Sequence, residues 1–232
     1  MDIRVLGVAG SPFKDGNTEV FLREVLKAVE EIAGVSTDFI SLAGKKIEDC
    51  RECHWCVRKQ DEGIFCNIKD DMTGIYPKLI EADVILMATP VYFWRLSGHM
   101  AVFIDRLRCL IVGKHYRFAL RDKVGGALAV GRFRNGGLET GLLTVHSGLL
   151  ALQMIPVAHS SFGVAALSTY GGTGRHDRED RLEVLKDKQG LAGGRFMAQN
   201  AVRLARIVKA GQETLKKEGP DPFSRLFSGQ IE

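Results

Sequence analysis

The sequence predicts an α/β protein built on a doubly wound, five-stranded parallel sheet. Five short runs rich in Val, Ile, Leu and Ala alternate with segments in which apolar residues recur at helical spacing. Parallel strands require crossover connections, and the helices in those crossovers cover both faces of the sheet. The length of 232 residues and the hydrophobic content of 45% suit one domain of this class. The predicted strands are residues 3–9, 35–42, 83–89, 123–130 and 154–158.

A helix is predicted after every strand. The first begins near Asn17 and Thr18 and ends before Gly34, a residue type that favours a left-handed stop. Asp71 is the predicted N-cap of the second helix, and Pro77 lies early in that helix, where a missing N–H matters least. The remaining helices are predicted at residues 97–111, 138–152 and 191–215.

We expect one domain over residues 1–218 and a C-terminal tail over 219–232, either loose or docked on a partner chain. An insertion at about 45–71, which lacks a clear hydrophobic periodicity, follows the second strand and carries four cysteines. A glycine-rich stretch at 171–174 is predicted to be a flexible link before the last helix. The chain contains no internal repeats.

Charge and hydropathy exclude several classes of function. The formal charge of +4 comes from 32 basic and 28 acidic residues without a basic block, so no nucleic-acid partner is expected, whereas small anionic ligands such as phosphates fit. No apolar run approaches the roughly eighteen residues of a membrane span. The N-terminus starts directly in a strand pattern and lacks a signal peptide, so we expect a cytoplasmic protein with no membrane contact.

The cysteines are concentrated in one stretch. Cys50, Cys53, Cys56 and Cys66 lie within seventeen residues, and the first three are separated by two residues each. In a reducing compartment such clusters bind metal or carry redox chemistry more often than they form structural disulfides. The residues themselves leave an iron–sulfur cluster, zinc, redox thiols and no function open. Cys109, on an apolar-rich helix, is predicted to be a small buried side chain.

Ligands of doubly wound sheets bind beyond the carboxyl ends of the strands, where three loops of this chain should converge. The loop at 10–18 offers Ser11, Asn17 and Thr18 at a helix N-terminus, whose N–H groups and dipole favour a phosphate. It matches neither the P-loop nor the dinucleotide fingerprint. The alternative is an ordinary strand-to-helix turn with Asn17 as the N-cap.

The other two loops complete the expected site. Pro90 and Val91 precede three adjacent aromatic residues, Tyr92, Phe93 and Trp94, which suit a flat ring ligand. A packing plug or a subunit contact is the alternative reading of these rings. The loop at 131–137 offers Gly136 and Gly137 at another helix start. A phosphate loop, an aromatic loop and a glycine loop at one rim indicate a mononucleotide with a planar ring, and FMN fits that description.

Several of these residues resemble the landmarks of NADPH-dependent FMN reductase-like flavoproteins, which have a flavodoxin-like fold. The resemblance covers roughly residues 1–165. With the four clustered cysteines placed just before Asp70-Asp71-Met72, the chain resembles the iron–sulfur flavoprotein branch of that family. The landmarks are Gly10-Ser11-Pro12, Gly16-Asn17-Thr18, Pro90-Val91-Tyr92-Phe93, Ile104-Asp105-Arg106 and Gly136-Gly137-Leu138-Glu139-Thr140.

The resemblance implies an FMN whose phosphate lies at Ser11, Asn17 and Thr18, and whose ring lies against residues 90–93. Trp94 would be close by, and Gly136 and Gly137 would flank the ring on its other side. Phe13 stands where the family often has a basic residue, which leaves Lys14 as the nearest positive charge. A [4Fe–4S] cluster would be held by Cys50, Cys53, Cys56 and Cys66, although the nine residues between the last two exceed the compact family spacing.

The resemblance further implies an FMN-dependent electron-transfer oxidoreductase. Ferredoxin or NAD(P)H would be the electron donor, a small molecule or a protein the acceptor, and the assembly a homodimer or homotetramer. A cluster-free NAD(P)H-dependent FMN or quinone reductase and a redox or metal sensor are the alternatives. We assign no acid–base catalytic residue, because electron transfer through a flavin requires mainly positioning and electrostatic tuning by the protein.

Overall fold

The computed structural model describes residues 1–159, 163–169 and 182–219. Within these ranges, short 3₁₀ helices lie at Leu107–Leu110 and Glu183–Lys186. The strands are β1 (Ile3–Ala9), β2 (Val35–Ser41), β3 (Val84–Val91), β4 (Val124–Gly131), β5 (Ile155–Val157) and β6 (Val164–Leu167). The helices are α1 (Asn17–Glu30), α2 (Trp55–Lys59), α3 (Met72–Glu81), α4 (Gly98–Arg106), α5 (Leu138–Ala151) and α6 (Lys188–Glu218).

The strands form one parallel sheet in the order β2-β1-β3-β4-β5, with β6 also paired to β4. β5 pairs with the first part of β4 and β6 with the last part, so the fifth position of the sheet is shared by two short strands. Gly163 immediately precedes the second of them and has a φ of +140°; a Cβ there would lie 2.5 Å from the Ala127 carbonyl oxygen. The five-stranded, doubly wound prediction is confirmed, with one additional short strand.

Helices cover both faces of the sheet. The first face packs α1 and α6, through side chains such as Phe21 and Met197, and the second packs α3, α4 and α5, through Met72, Phe103 and Leu142. β3 and β4 are buried along their whole length. Since all strands are parallel, the loops after β1, β2, β3, β4 and β6 leave from the same edge of the sheet, which we call the carboxyl edge.

The helix boundaries differ from the predictions in three places, the first being α1, which ends at Glu30 rather than just before Gly34. The helix expected at 97–111 tightens into a 3₁₀ turn after Arg106, and the last helix extends in both directions beyond 191–215. Asp71 occupies the predicted N-cap position of α3, but its side chain does not cap the helix. Its carboxylate accepts a hydrogen bond from the Lys46 backbone N–H at 2.6 Å, while the neighbouring Asp70 accepts from the N–H of Met72 at 3.0 Å.

Other expectations concern the ends of the chain and the membrane. The expected link at 171–174 and the tail beyond Gly219 lie outside the described residues. None of the helices in the described part of the chain combines the length and the apolar composition that crossing a bilayer requires.

Candidate functional site

A cleft of about 580 Å³ opens at the carboxyl edge, between the loops that follow β1, β3 and β4. This volume lies within the range of small-molecule and cofactor sites. Eight of the twelve residues predicted to bind the cofactor line it, namely Ser11, Phe13, Lys14, Asn17, Thr18, Pro90, Val91 and Tyr92. Six further residues complete the lining, namely Asp15, Gly16, Val130, Arg132, Ser168 and Leu182.

The first loop of the cleft is held by local hydrogen bonds. Ser11 Oγ accepts from the Phe13 N–H at 3.1 Å, and the carboxylate of the buried Glu19 accepts from the Asp15 N–H at 3.0 Å. Asp15 has a left-handed φ of 53°, which this bond stabilises. No side chain caps α1 at Gly16. The positive end of the helix faces the cleft and is therefore available to bind an anion.

Asn17 does not act as the N-cap, so the alternative of an ordinary capped turn is wrong in that detail. Asn17 is the first residue of α1, and its side-chain oxygen accepts from the Val184 N–H at 3.0 Å. This bond ties the loop to the 3₁₀ turn that precedes α6, and it explains how Leu182 reaches the cleft. At the N-terminus of α1, the cleft is therefore built from residues that are more than 160 positions apart in the sequence.

The second loop is a closed turn. Val91 and Leu96 form an isolated antiparallel bridge, and the Ser97 N–H donates to Thr89 Oγ1 at 3.0 Å. Ser97 Oγ in turn donates to the Gly10 carbonyl and accepts from the Met100 N–H, so one hydroxyl joins the first loop to the start of α4. The turn is therefore fixed before any ligand binds.

The three aromatic residues of this turn are placed differently. Tyr92 lines the cleft, and its hydroxyl lies in reach of Ser11; burial raises the pKa of this phenol and the hydrogen bond with Ser11 opposes the shift. Phe93 and Trp94 lie outside the cleft lining, and Phe93 is 83% exposed. Trp94 has a left-handed φ of 61°, which is rare for a bulky side chain.

The third loop supports the second rather than lining the cleft. Gly137 has a φ of +92°, and a Cβ added there would lie 2.4 Å from the Trp94 Cα. Gly137 therefore allows the backbone at Trp94 to approach closely, whereas a Cβ at Gly136 would meet Phe133 at 3.2 Å. The part of this segment that lines the cleft is Val130 and Arg132, at the end of β4.

The clustered cysteines lie in the segment between β2 and α3, where they line a second and smaller cavity. A cavity of about 20 Å³ is lined by Cys50, Cys53, Cys56 and Cys66, together with the buried Cys109. The burial predicted for Cys109 is confirmed. Among the residues that the structure describes, no three His, Cys, Asp or Glu side chains are arranged to hold a metal ion. Asn67 Oδ1 lies 3.6 Å from Cys53 Sγ and 4.0 Å from Cys66 Sγ.

The backbone around Cys53 is strained. Glu52 and His54 both adopt left-handed conformations, with φ values of 48° and 54°. Such conformations cost free energy in residues other than glycine, and they persist where the surrounding structure imposes them. Two of them within three residues curl the chain around Cys53, and this brings the first three cysteines to one cavity.

The surroundings of the thiols are partly apolar and partly cationic. Arg51, Arg106 and Arg108 also line the small cavity. Burial raises the pKa of the Cys56 thiol, and the positive charge of Arg108 opposes this shift. Burial also raises the pKa of Cys109 to about 12, and its neighbours Cys56 and Cys66 act in the same direction. Each of these arginines is itself paired with a carboxylate, so the net positive charge at the thiols is small; the pairs are Arg51 with Glu48, Arg106 with Asp70 and Arg108 with Glu52.

A buried ion pair anchors the cysteine segment to the fold. Arg106 donates to both carboxylate oxygens of Asp70, and both side chains are nearly inaccessible, at 1% and 3% exposure. The same guanidinium donates to the Glu48 carbonyl at 2.7 Å, and Asp70 accepts from the Glu48 N–H at 2.9 Å. Burial raises the pKa of Asp70, but the bonds from Arg106 and from the backbone outweigh it and hold that pKa below its usual range.

The sequence of this chain is similar to those of known flavoproteins. A family model described as NADPH-dependent FMN reductase matches residues 3–168. An iron-sulfur flavoprotein of Methanocaldococcus jannaschii is 38% identical over 207 residues, which cover 89% of this chain and 100% of that protein.

Two solved structures show the same fold at low sequence identity. RosB with a bound 8-demethyl-8-formylriboflavin-5'-phosphate intermediate has a TM-score of 0.69 at 19% identity, covering 99% of this chain and 91% of that one. A WrbA-like flavodoxin of Agrobacterium tumefaciens has a TM-score of 0.55 at 16% identity, covering 88% and 99%. These likenesses and the sheet order confirm the flavodoxin-like fold.

Proposed function

The chain belongs to the NADPH-dependent FMN reductase family, and we propose that within it this protein pairs FMN with a [4Fe–4S] cluster to move electrons between a reduced donor and an acceptor. It is an FMN-dependent oxidoreductase. FMN supplies two-electron chemistry when bound, whereas an iron–sulfur cluster passes single electrons. The proposal assigns to the chain the positioning of both groups and the tuning of their environments.

The cleft at the carboxyl edge fits FMN. The uncapped N-terminus of α1, with Ser11, Asn17 and Thr18 beside it, supplies the donors and the dipole that a phosphate requires. Lys14 adds a positive charge, and Pro90, Val91 and Tyr92 offer an apolar wall for a flat ring. We propose that Phe93, Trp94, Gly136 and Gly137 shape the outer rim of this site, where the strained turn at Trp94 packs on Gly137.

The cysteine segment supplies the second set of ligands. Four thiols, from Cys50, Cys53, Cys56 and Cys66, share one cavity with three arginines, and four thiolates are the ligand set of a [4Fe–4S] cluster. Arg108, whose ion pair with the exposed Glu52 is long at 3.7 Å, is the arginine that would offset part of the negative charge of a thiolate-ligated cluster. This shared cavity is the observation that carries the proposal, and the similarity to an iron-sulfur flavoprotein of Methanocaldococcus jannaschii supports it.

One observation favours a second candidate, a cluster-free NAD(P)H-dependent FMN or quinone reductase. Within the described residues the thiols do not form a group of three that could hold a metal. In that case the cleft would bind FMN in the same way, and the cysteines would have no role in turnover.

The donor, acceptor and assembly follow from the same proposal. A family of redox flavoproteins requires an electron donor and an acceptor. We propose ferredoxin or NAD(P)H as the donor and a small molecule or a protein as the acceptor. The exposed Phe93 and Trp94 at the rim of the flavin cleft suit a subunit contact, which supports a homodimer or homotetramer.

The content of iron in variants of the protein tests the cluster directly. We expect anaerobically purified protein to contain FMN and about four iron atoms per chain, as a [4Fe–4S] cluster requires. Cys66→Ser should lose most of the iron and retain FMN. Cys109→Ser is the matched control, because this thiol lines the same cavity without being an assigned ligand, and it should retain both groups. FMN without iron in the unmodified protein would establish the second candidate instead.

A further inference from the structure

The gap between Cys56 and Cys66 contains a closed turn. The two cysteines are separated by nine residues, but Asp61 and Ile64 form an isolated antiparallel bridge, with a 3.0 Å hydrogen bond from the Ile64 N–H to the Asp61 carbonyl. Gly63 occupies this turn with a φ of +73°. Four of the nine residues therefore fold back on themselves and add little to the distance that the chain spans.

The buried amide of Gln60 closes the turn and joins it to the rest of the protein. Its exposure is 2%, and its Nε2 donates to the Phe65 carbonyl at 2.9 Å and to the Cys109 carbonyl at 3.1 Å. Its Oε1 accepts from the N–H groups of His115 and Tyr116 at 3.1 and 2.8 Å. All four hydrogen-bonding positions of the amide are used, which fixes both its orientation and its place.

Further contacts hold the same segment from outside. The Lys114 N–H donates to the Cys56 carbonyl at 2.9 Å, and the Gly63 N–H donates to the Tyr116 hydroxyl oxygen at 2.7 Å. The Phe65 ring stacks between the rings of Tyr116 and Tyr76, at centroid distances of 4.2 and 5.0 Å. Cys56 is thus tied to residues 109–116, and Phe65, which precedes Cys66, is tied both to those residues and to α3.

The fit around Gln60 leaves no spare room. A Cβ added at Gly113 would lie 2.0 Å from Gln60 Oε1 and 2.2 Å from the Cys109 carbonyl oxygen. A side chain at position 113 would therefore displace the Gln60 amide or the 3₁₀ turn that carries Cys109. The backbone at 113 and the Gln60 amide form one close-packed unit.

We propose that Gln60 is the positioning residue of the metal centre, which brings Cys66 opposite Cys56 by bridging the ends of the 61–64 turn. If the chain from Gln60 to Phe65 were extended, these two residues would lie about 17 Å apart. The hydrogen bond from the Gln60 side chain to the Phe65 carbonyl holds them close together instead. Although nine residues separate Cys56 from Cys66 in the sequence, the two cysteines are thereby held close together in space. This inference rests on the proposed function, because it presumes that the four thiols bind a cluster.

The test compares iron loading with FMN loading in single variants. Apoprotein is reconstituted anaerobically with ferrous iron and sulfide, and iron, labile sulfide and FMN per chain are measured, with an EPR spectrum of the reduced sample. Gln60→Leu removes all four hydrogen bonds and should reduce iron loading at least about threefold while FMN stays at the level of the unmodified protein. Gln60→Glu keeps the two acceptor bonds and should retain an intermediate amount of iron with an altered EPR spectrum.

Two more variants keep the test independent of a loss of folding. Gly113→Ala should displace Gln60 from its other side and give the same selective loss of iron. Glu62→Gln changes an exposed residue of the same turn and should leave iron unchanged. Equal iron in Gln60→Leu and the unmodified protein, or loss of FMN in parallel with iron, would overturn the proposal for Gln60 alone. Absence of iron from the unmodified protein would overturn the cluster as well.

Discussion

Replacing Arg106 with methionine is expected to lower the free energy of unfolding by about 3–5 kcal/mol, the range for breaking one side of a buried ion pair. The substitution leaves Asp70 as a buried carboxylate without its charged partner, and it removes the bond to the Glu48 carbonyl. Chemical denaturation of the apoprotein, followed by circular dichroism, measures the effect. The anchor of the cysteine segment is lost with it, so iron loading should fall too.

Arg4→Met is the matched control for this variant. Arg4 and Glu81 form an exposed ion pair at 3.1 Å, with both side chains 62% accessible, and such pairs contribute little. A cost in Arg106→Met no larger than that in Arg4→Met would contradict the anchoring role of the buried pair.

The same pair predicts a dependence on pH. The pKa of Asp70 is lowered in the folded protein, so its contribution to stability is complete above the carboxyl pKa of the unfolded chain, about 3.9. It is lost as the pH falls through the still lower folded-state value. The difference in stability between the unmodified protein and an Asp70→Asn variant should therefore be constant near neutral pH and shrink below about pH 4. A difference that grew with acidification would have the wrong sign.

Replacing Thr18 with aspartate is expected to weaken FMN binding by at least about a hundredfold. Thr18 lies in the first turn of α1, is 4% exposed and lines the cleft. Two unit charges 4 Å apart repel by about 4 kcal/mol at the effective dielectric constant of protein surfaces, which is more than the hundredfold effect requires. An aspartate is favourable near a helix N-terminus, but at a side chain that is only 4% exposed its burial also costs free energy. Circular dichroism therefore establishes that the variant is folded before its affinities are compared.

Binding of riboflavin separates this repulsion from a general loss of the site. Riboflavin lacks the phosphate, so Thr18→Asp should change its affinity far less than that for FMN. Thr18→Asn, of the same size but neutral, should keep most of the FMN affinity. The two affinities are measured by flavin fluorescence quenching. An equal loss for riboflavin and FMN would show that the phosphate does not lie at the N-terminus of α1.

The position of the cleft could be predicted from the sequence because it depends on local patterns. A buried strand followed by a polar or glycine-rich turn identifies the loops after β1, β3 and β4, and parallel strands place those loops at one edge. Glu19 could also have been found, since it lies three residues after the N-cap Gly16, where the acid of a capping box is expected. It holds the Asp15 N–H and so shapes the first loop.

Other parts of the site depend on contacts that no local pattern encodes. Ser168 and Leu182 reach the cleft through β6 and the 3₁₀ turn before α6, which the prediction of a single fifth strand did not anticipate. Asp70 and Asp71 are adjacent acids, and only the burial of Arg106 decides which of them accepts from the first N–H of α3. A glycine can leave room for a ligand or for a neighbouring loop, and the sequence does not distinguish the two roles. Gly137, predicted to flank the ligand, instead leaves room for the backbone at Trp94.

For the cysteines, too, one feature could be predicted from the sequence and another depends on distant contacts. Their spacing predicts a shared location, and all four line one cavity. The closure of the 61–64 turn depends on the contacts of Gln60 with residues 109–116, nearly fifty positions further along the chain, and the spacing alone does not reveal it.

An anaerobic reductive titration, followed by flavin absorbance and by EPR on the same samples, tests the pairing of FMN with a cluster most directly. FMN takes up two electrons and a [4Fe–4S] cluster one, so the unmodified protein should take up about three per chain and develop the EPR signal of a reduced cluster. The Cys66→Ser variant should take up about two and develop no such signal. Uptake of about two electrons by the unmodified protein, complete when the flavin absorbance is bleached, would contradict the proposed pairing.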